Sequence, residues 1–133
     1  MQPHGEVRTL SGRVRRIVAP NPGPMTGPGT NTYIVGESDL VLVDPGPAVA
    51  SHVDAILTCV GDRLRYIACT HTHPDHSPAA AVVADATGAE LIGRTTADDR
   101  HQDLSFQPAS QIDDDECIAG QNWTLRAIRT PGH

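Results

Sequence analysis

Seven consecutive residues, Thr70-His71-Thr72-His73-Pro74-Asp75-His76, restrict the folds open to this chain more than any other feature. They follow Leu64-Arg65-Tyr66-Ile67-Ala68-Cys69, a run with strand character. Three imidazoles and a carboxylate within six positions are costly to bury unless they share a partner. If the chain is still extended at the start of this segment, the two-residue period puts His71 and His73 on one side. Two ring nitrogens so placed can close on one divalent ion at about 2.0–2.1 Å. Ser77 suits a helix cap and Pro78 a first helical position, so Asp75 and His76 are expected on a strand-to-helix turn. Carboxyl ends of strands are where α/β sheets place their ligands. Imidazole and carboxylate donors without thiolates suit a catalytic zinc or a related divalent ion better than a closed structural site. A polar surface turn is the plain alternative, and a structural metal a lesser one.

The flanking pattern supplies a sheet to carry such a turn. Residues 13–19 read as a first strand that ends in a Pro- and Gly-rich loop over 20–29. Thr32-Tyr33-Ile34-Val35 and Leu40-Val41-Leu42-Val43 then form a hairpin, stopped by Asp44-Pro45-Gly46. The second run is apolar throughout, which predicts cover on both faces. Over residues 48–60 the period changes. Val49, Val53, Ile56, Leu57 and Val60 share a helical face, His52, Asp54 and Thr58 fall away from its centre, and Gly61 supplies a stop. A strand over 64–69, an Ala-rich helix over 78–86 closed by Gly88, and a strand over 90–93 follow. Residues 95–111 are polar and lack a period, which predicts a loop with some irregular helix. Residues 123–129 alternate as a half-buried strand should, with Trp123, Leu125 and Ala127 inward and Ile128 breaking the pattern. Strand, helix, strand, helix, strand predicts an α/β layer with helices packed on a sheet.

Composition sets the limits of this reading. The 133 residues allow one hydrophobic core and not two ordinary domains. With aromatics at 3%, that core must be built from Val, Ile, Leu and Ala. The first residues lack the basic start and apolar run of a secretory signal, and no apolar stretch approaches a membrane span, so a cytoplasmic setting without membrane attachment is expected. Cys59, Cys69 and Cys117 are odd in number and have no paired short spacing; they read as small buried hydrophobes rather than disulfide partners or zinc thiolates. The net charge of -6 gives no general attraction to a phosphate backbone, although Arg8, Arg13, Arg15 and Arg16 gather near the start and a local basic groove stays open. Asp113-Asp114-Asp115-Glu116 reads as a solvated loop or strand end, and His4, His52 and His101 as ordinary surface histidines. Asn122-Trp123-Thr124 matches a glycosylation acceptor only by chance in a chain without a secretion signal.

His71-Thr72-His73-Pro74-Asp75-His76 resembles the ligand motif of the metallo-beta-lactamase superfamily, in its hydrolytic rather than its metal-free form. Thr30-Asn31-Thr32-Tyr33, the Val43-Asp44-Pro45-Gly46 turn and Thr130-Pro131-Gly132-His133 match in the same order. Within the superfamily, Asn21-Pro22-Gly23-Pro24-Met25-Thr26 followed by Gly29-Thr30-Asn31-Thr32-Tyr33 is similar to the beta-lactamase-like endoribonucleases. The resemblance implies an α/β fold, a four-layer αβ/βα sandwich of which residues 1–133 supply mainly the N-terminal half. It implies that His71, His73 and His133 hold a first zinc, that Asp75 and His76 contribute to a second, that Asp75 also orients the nucleophile, and that Asp44 supports the site; manganese or iron are the alternatives to zinc. The implied activity is hydrolysis by a metal-activated water, with a small ester, thioester or lactam, or the phosphodiester of single-stranded RNA, as substrate. A homodimer is an allowed assembly. A non-catalytic metal-binding or interaction module of the same fold is the competing class. Because Thr130-Pro131-Gly132-His133 should lead into further structure, the domain is expected to be incomplete at its C-terminus and this stretch alone inactive.

Overall fold

The uninterrupted apolar run Leu40–Val43 lies at the middle of the main sheet in the computed structural model, which describes residues 3–23, 27, 29–69, 79–93, 110–111, 117–121 and 123–126. Strands β1 (Arg8–Ser11), β2 (Val14–Val18), β3 (Asn31–Gly36), β4 (Leu40–Val43), β5 (Leu64–Cys69), β6 (Glu90–Gly93) and β7 (Ser110–Gln111) pair in chain order. Hairpin connections make β1 through β4 antiparallel. Helices α1 (Ala50–Val60) and α2 (Ala79–Thr87) then carry the chain from β4 to β5 and from β5 to β6, and β4, β5, β6 and β7 pair in parallel. A separate antiparallel pair, β8 (Cys117–Ala119) and β9 (Thr124–Arg126), completes the described structure.

Leu40, Val41 and Leu42 have no accessible surface, so β4 is covered on both faces, as its composition predicts. On the helix side, Leu40 and Leu42 join Ile17, Ile34 and Ile67 from neighbouring strands, Val53, Ile56 and Val60 from α1, and Ala79, Ala80 and Val83 from α2. No side-chain bond caps the start of α1, where Val49 occupies the cap position, so the helix is held by its buried stripe. Each fully buried Val or Ile there contributes about 1.5–3 kcal/mol. Gly61 ends α1 with a positive φ of 57° and donates its N–H to the Leu57 carbonyl at 3.1 Å.

An irregularity in β5 sets which side chains face the helices. Leu40 lies opposite Leu64 but Val41 lies opposite Tyr66, which leaves Arg65 as an extra residue. Strict alternation from Leu64 would send Ile67 and Cys69 to the far face; the extra residue returns them to the helix-side core. Tyr66 instead meets Trp123 edge to face, with ring centroids 6.1 Å apart at 88°. The Trp123 indole donates to the Asp39 carbonyl at 3.0 Å, and the Asp39 carboxylate accepts from the Gln121 N–H at 2.9 Å and from Arg65 at 3.2 Å. These bonds dock the β8–β9 hairpin at the β3–β4 turn.

The structure corrects several expectations. The predicted first strand is β2, and β1 precedes it; all four β1 residues are exposed, so they show no apolar period to read. Residues 110–111 pair with β6, whereas the rest of the predicted loop, 95–109, lies outside the described residues, as do 113–116. The predicted strand over 123–129 is seen as Thr124–Arg126 with Trp123 buried before it, and 127–129 lie outside. Helix α2 begins at Ala79, with Ser77 and Pro78 outside the described residues, and ends where Gly88 was expected to close it. Of the cysteines only Cys69 is buried: Cys59 is half-buried, and Cys117 is exposed because alternate positions of a two-stranded pair face solvent. Neither described helix is long and apolar enough to cross a membrane.

Candidate functional site

The parallel strands bring three carboxyl ends to one edge of the sheet, with Val43 beside Ala68 and Cys69 beside Gly93. The histidine segment follows Cys69 in the sequence, and described structure resumes at Ala79. His71, His73, Asp75 and His76 lie outside the described residues, and so does His133. Among the described residues no group of three or more His, Cys, Asp or Glu side chains gathers to hold a metal. The described residues on the two sides of the histidine segment, Ala68 and Ala79, are both bonded to one turn.

That turn is Asp44-Pro45-Gly46, at the end of β4. Asp44 is buried and has a φ of 53°, the one positive φ among described residues other than glycine. Aspartate tolerates this region better than most residues, but the conformation persists only where its surroundings impose it. The Asp44 N–H donates to the Ala68 carbonyl at 2.9 Å, and the Asp44 carbonyl accepts the Thr32 hydroxyl at 2.7 Å. Two residues on, the Gly46 carbonyl accepts the Ala79 N–H at 2.8 Å. One turn is therefore bonded to β5 just before the histidine segment and to the first residue of α2 just after it.

His52 lies beneath this turn. It is 1% exposed, against the surface position expected of it. Its Nε2 is 2.8 Å from the Pro45 carbonyl and 3.1 Å from the Thr32 hydroxyl oxygen. A carbonyl only accepts, so Nε2 carries the proton; the Thr32 proton is directed at Asp44, which leaves the hydroxyl oxygen to face the same Nε2–H. Nδ1 is then a bare acceptor, and it is buried with no hydrogen-bond partner among the described residues. Burial pushes the imidazole pKa below its ordinary value, and the bond to the Pro45 carbonyl offsets part of that. The signal was in the sequence: His52, Ile56 and Val60 are spaced four apart and form one buried row of α1. Gly46 completes the fit, since a Cβ there would lie 3.2 Å from His52 Nε2 on a backbone with φ of 81°.

The Thr30-Asn31-Thr32-Tyr33 motif has a role at the same turn. Thr30 is buried, its N–H donates to the Asn21 side-chain oxygen at 2.8 Å, and its hydroxyl oxygen accepts from the Asn21 amide at 2.9 Å. Asn21 and Thr30 thus close the base of the Pro- and Gly-rich loop, and Thr32 ties β3 to the turn.

Comparison with known proteins places this arrangement. The family model described as the metallo-beta-lactamase superfamily matches residues 25–133. A beta-lactamase-like protein 2 homolog of Caenorhabditis elegans is 33% identical over 136 residues, covering 96% of this chain and 45% of the relative. An atrochrysone carboxyl ACP thioesterase of a Cryptosporiopsis species is 31% identical over 137 residues, covering 100% of this chain and 41% of the relative. Among solved structures, a subclass B3 metallo-beta-lactamase of Bradyrhizobium japonicum superposes with a TM-score of 0.75 at 19% identity, over 96% of this chain and 53% of that one. A metallo-beta-lactamase of Cronobacter sakazakii gives 0.77 at 18%, over 96% and 56%. The chain therefore spans less than half the length of these curated relatives and just over half that of the solved structures.

Proposed function

The chain belongs to the metallo-beta-lactamase superfamily and has its fold, and from that premise we propose that the protein is a zinc-dependent hydrolase of carbonyl esters, with thioesters the favoured substrates. The observation that carries this reading is the turn at Asp44-Pro45-Gly46, which is bonded on both sides of a segment whose side chains are a zinc donor set. His71, His73 and His133 hold one metal, and Asp75 and His76 contribute to a second. Neutral imidazoles and carboxylates are the donors zinc takes in catalytic sites. When bound, zinc lowers the pKa of water to about 7 and draws charge from a substrate oxygen.

The chain's own residues have distinct tasks. Asp75 accepts the proton of the attacking water and orients its lone pair toward the carbonyl carbon. The histidines must be neutral to bind, so metal binding competes with protons for the same ring nitrogens. Asp44 acts through the turn it begins. The choice of a carbonyl over a phosphodiester is supported by the thioesterase among the relatives and by a net charge of -6, which does not draw a polyanion. Cleavage of single-stranded RNA is the second reading, favoured by the Asn21-Pro22-Gly23-Pro24 and Gly29-Thr30-Asn31 motifs.

Elemental analysis, with turnover of acyl thioesters and of single-stranded RNA, tests the proposal on the protein that carries the complete domain. Bound zinc and thioester cleavage are expected, with rate lost by about 10²–10³-fold or more in His71→Ala, His73→Ala. RNA cleavage without thioester cleavage would move the assignment to a nuclease. No metal after reconstitution with excess zinc would make the protein a non-catalytic module of this fold.

A further inference from the structure

We infer that His52 is a positioning residue for the metal-binding segment, acting through the Asp44-Pro45-Gly46 turn that its Nε2–H holds in place. The inference rests on the zinc site proposed above. Among the described residues the bonds of His52 go to the Pro45 carbonyl and the Thr32 hydroxyl, at 2.8 and 3.1 Å. The Thr32 hydroxyl in turn donates to Asp44 at 2.7 Å, so each of the first two residues of the turn has its carbonyl bonded to a side chain beneath it. The outward bonds of the same turn run to Ala68 and Ala79, the described main-chain anchors on the two sides of residues 70–78.

The arrangement is more specific than a core contact. An apolar side chain would fill the space of His52 as well and would not bury an Nδ1 that has no hydrogen-bond partner among the described residues, a feature that costs stability. What an apolar side chain cannot supply here is a donor at the Nε2 position, aimed at a carbonyl whose residue has no N–H of its own. Pro45 cannot anchor itself as a donor, so within the turn its carbonyl is the group left to be held. The positive φ at Asp44 adds to the need, because that conformation reverts unless several bonds impose it.

The zinc affinity of the protein, read by competition with a chromophoric chelator, tests the inference together with the visible spectrum of the cobalt-substituted form. His52→Leu removes the donor and keeps apolar volume, Thr32→Val removes the hydroxyl and keeps shape, and His52→Gln restores an N–H near the Nε2 position. His52→Leu and Thr32→Val should each weaken zinc binding about 10–100-fold and shift the cobalt spectrum, and His52→Gln should recover most of the loss. Unchanged affinity and spectrum in folded Leu and Val variants, with only the melting temperature lowered, would overturn the inference and leave the zinc site standing. Should His52→Leu fail to fold, Thr32→Val against His52→Gln decides by the same readings. A wild-type protein that binds no zinc would overturn the site itself and this inference with it.

Discussion

The two ends of β4 each carry a buried aspartate, and they are held in opposite ways. Before the strand, Asp39 has ordinary backbone geometry and uses its carboxylate, which takes the Gln121 N–H and the Arg65 guanidinium while its carbonyl takes the Trp123 indole. After the strand, Asp44 is held through its main chain, in a backbone region that most residues avoid, by Ala68 and Thr32. The first arrangement fastens one part of the fold to another. The second belongs to a turn that is bonded to Ala68 and Ala79, on the two sides of the histidine segment in the sequence. The positive φ of a residue other than glycine lies at the end bonded to Ala68 and Ala79, and the Asp39 end has none among the described residues.

Substitutions that should affect one end and spare the other sharpen this contrast. The largest expected effect is Trp123→Ala. It removes a buried indole with its hydrogen bond and ring contact, and should cost about 3–5 kcal/mol in chemical denaturation followed by circular dichroism, with zinc affinity unchanged. A parallel loss of zinc affinity would show that the two ends are not independent. Asp44→Val comes next and should act on the other end: a β-branched residue resists the positive φ, so zinc affinity should fall about 10–100-fold. Asp44→Asn, which tolerates that φ and keeps both main-chain bonds, should leave stability within about 1 kcal/mol and zinc affinity nearly unchanged.

The pattern of legible and illegible features follows the same physical lines. Strands β3, β4, β5 and β6 and helices α1 and α2 could be read because their apolar residues recur with the period of the element and face a shared core. Strand β1 could not, since no face of it is buried, nor could the extra residue at Arg65, which reflects pairing with a distant strand rather than any local signal. The histidine segment stood out by its chemistry, and the Asp44 turn by its residues. The support is less legible: His52 falls away from the centre of the apolar stripe of α1 and so reads as a surface histidine, whereas its place in the row with Ile56 and Val60 puts it inside, where it donates to the carbonyl of Pro45.

Titration offers smaller effects that still separate the ends. With its pKa pushed below the unfolded value of about 6.5, His52 contributes stability fully present above pH 6.5 and lost as pH falls from there toward the folded pKa. His52→Gln should flatten stability against pH over that window. The Gln121 N–H, followed by Arg65 and Trp123, holds the Asp39 carboxyl below its usual 3.8 against the opposing effect of burial. Its contribution is present above pH 3.8 and lost as the solution is acidified further, so Asp39→Asn should flatten only the acid limb. Exchange of these two signatures between the variants would contradict the assignment of each group to its end of β4.

The proposed catalytic zinc site takes its donors from the histidine segment between Ala68 and Ala79. X-ray absorption at the zinc edge of the reconstituted protein tests it most directly. A first shell of nitrogen and oxygen alone at about 2.0–2.1 Å is expected, with the outer scattering of imidazole rings, lost in the His71→Ala, His73→Ala protein. A sulfur shell at about 2.3 Å, or a spectrum unaltered by that double substitution, would contradict it.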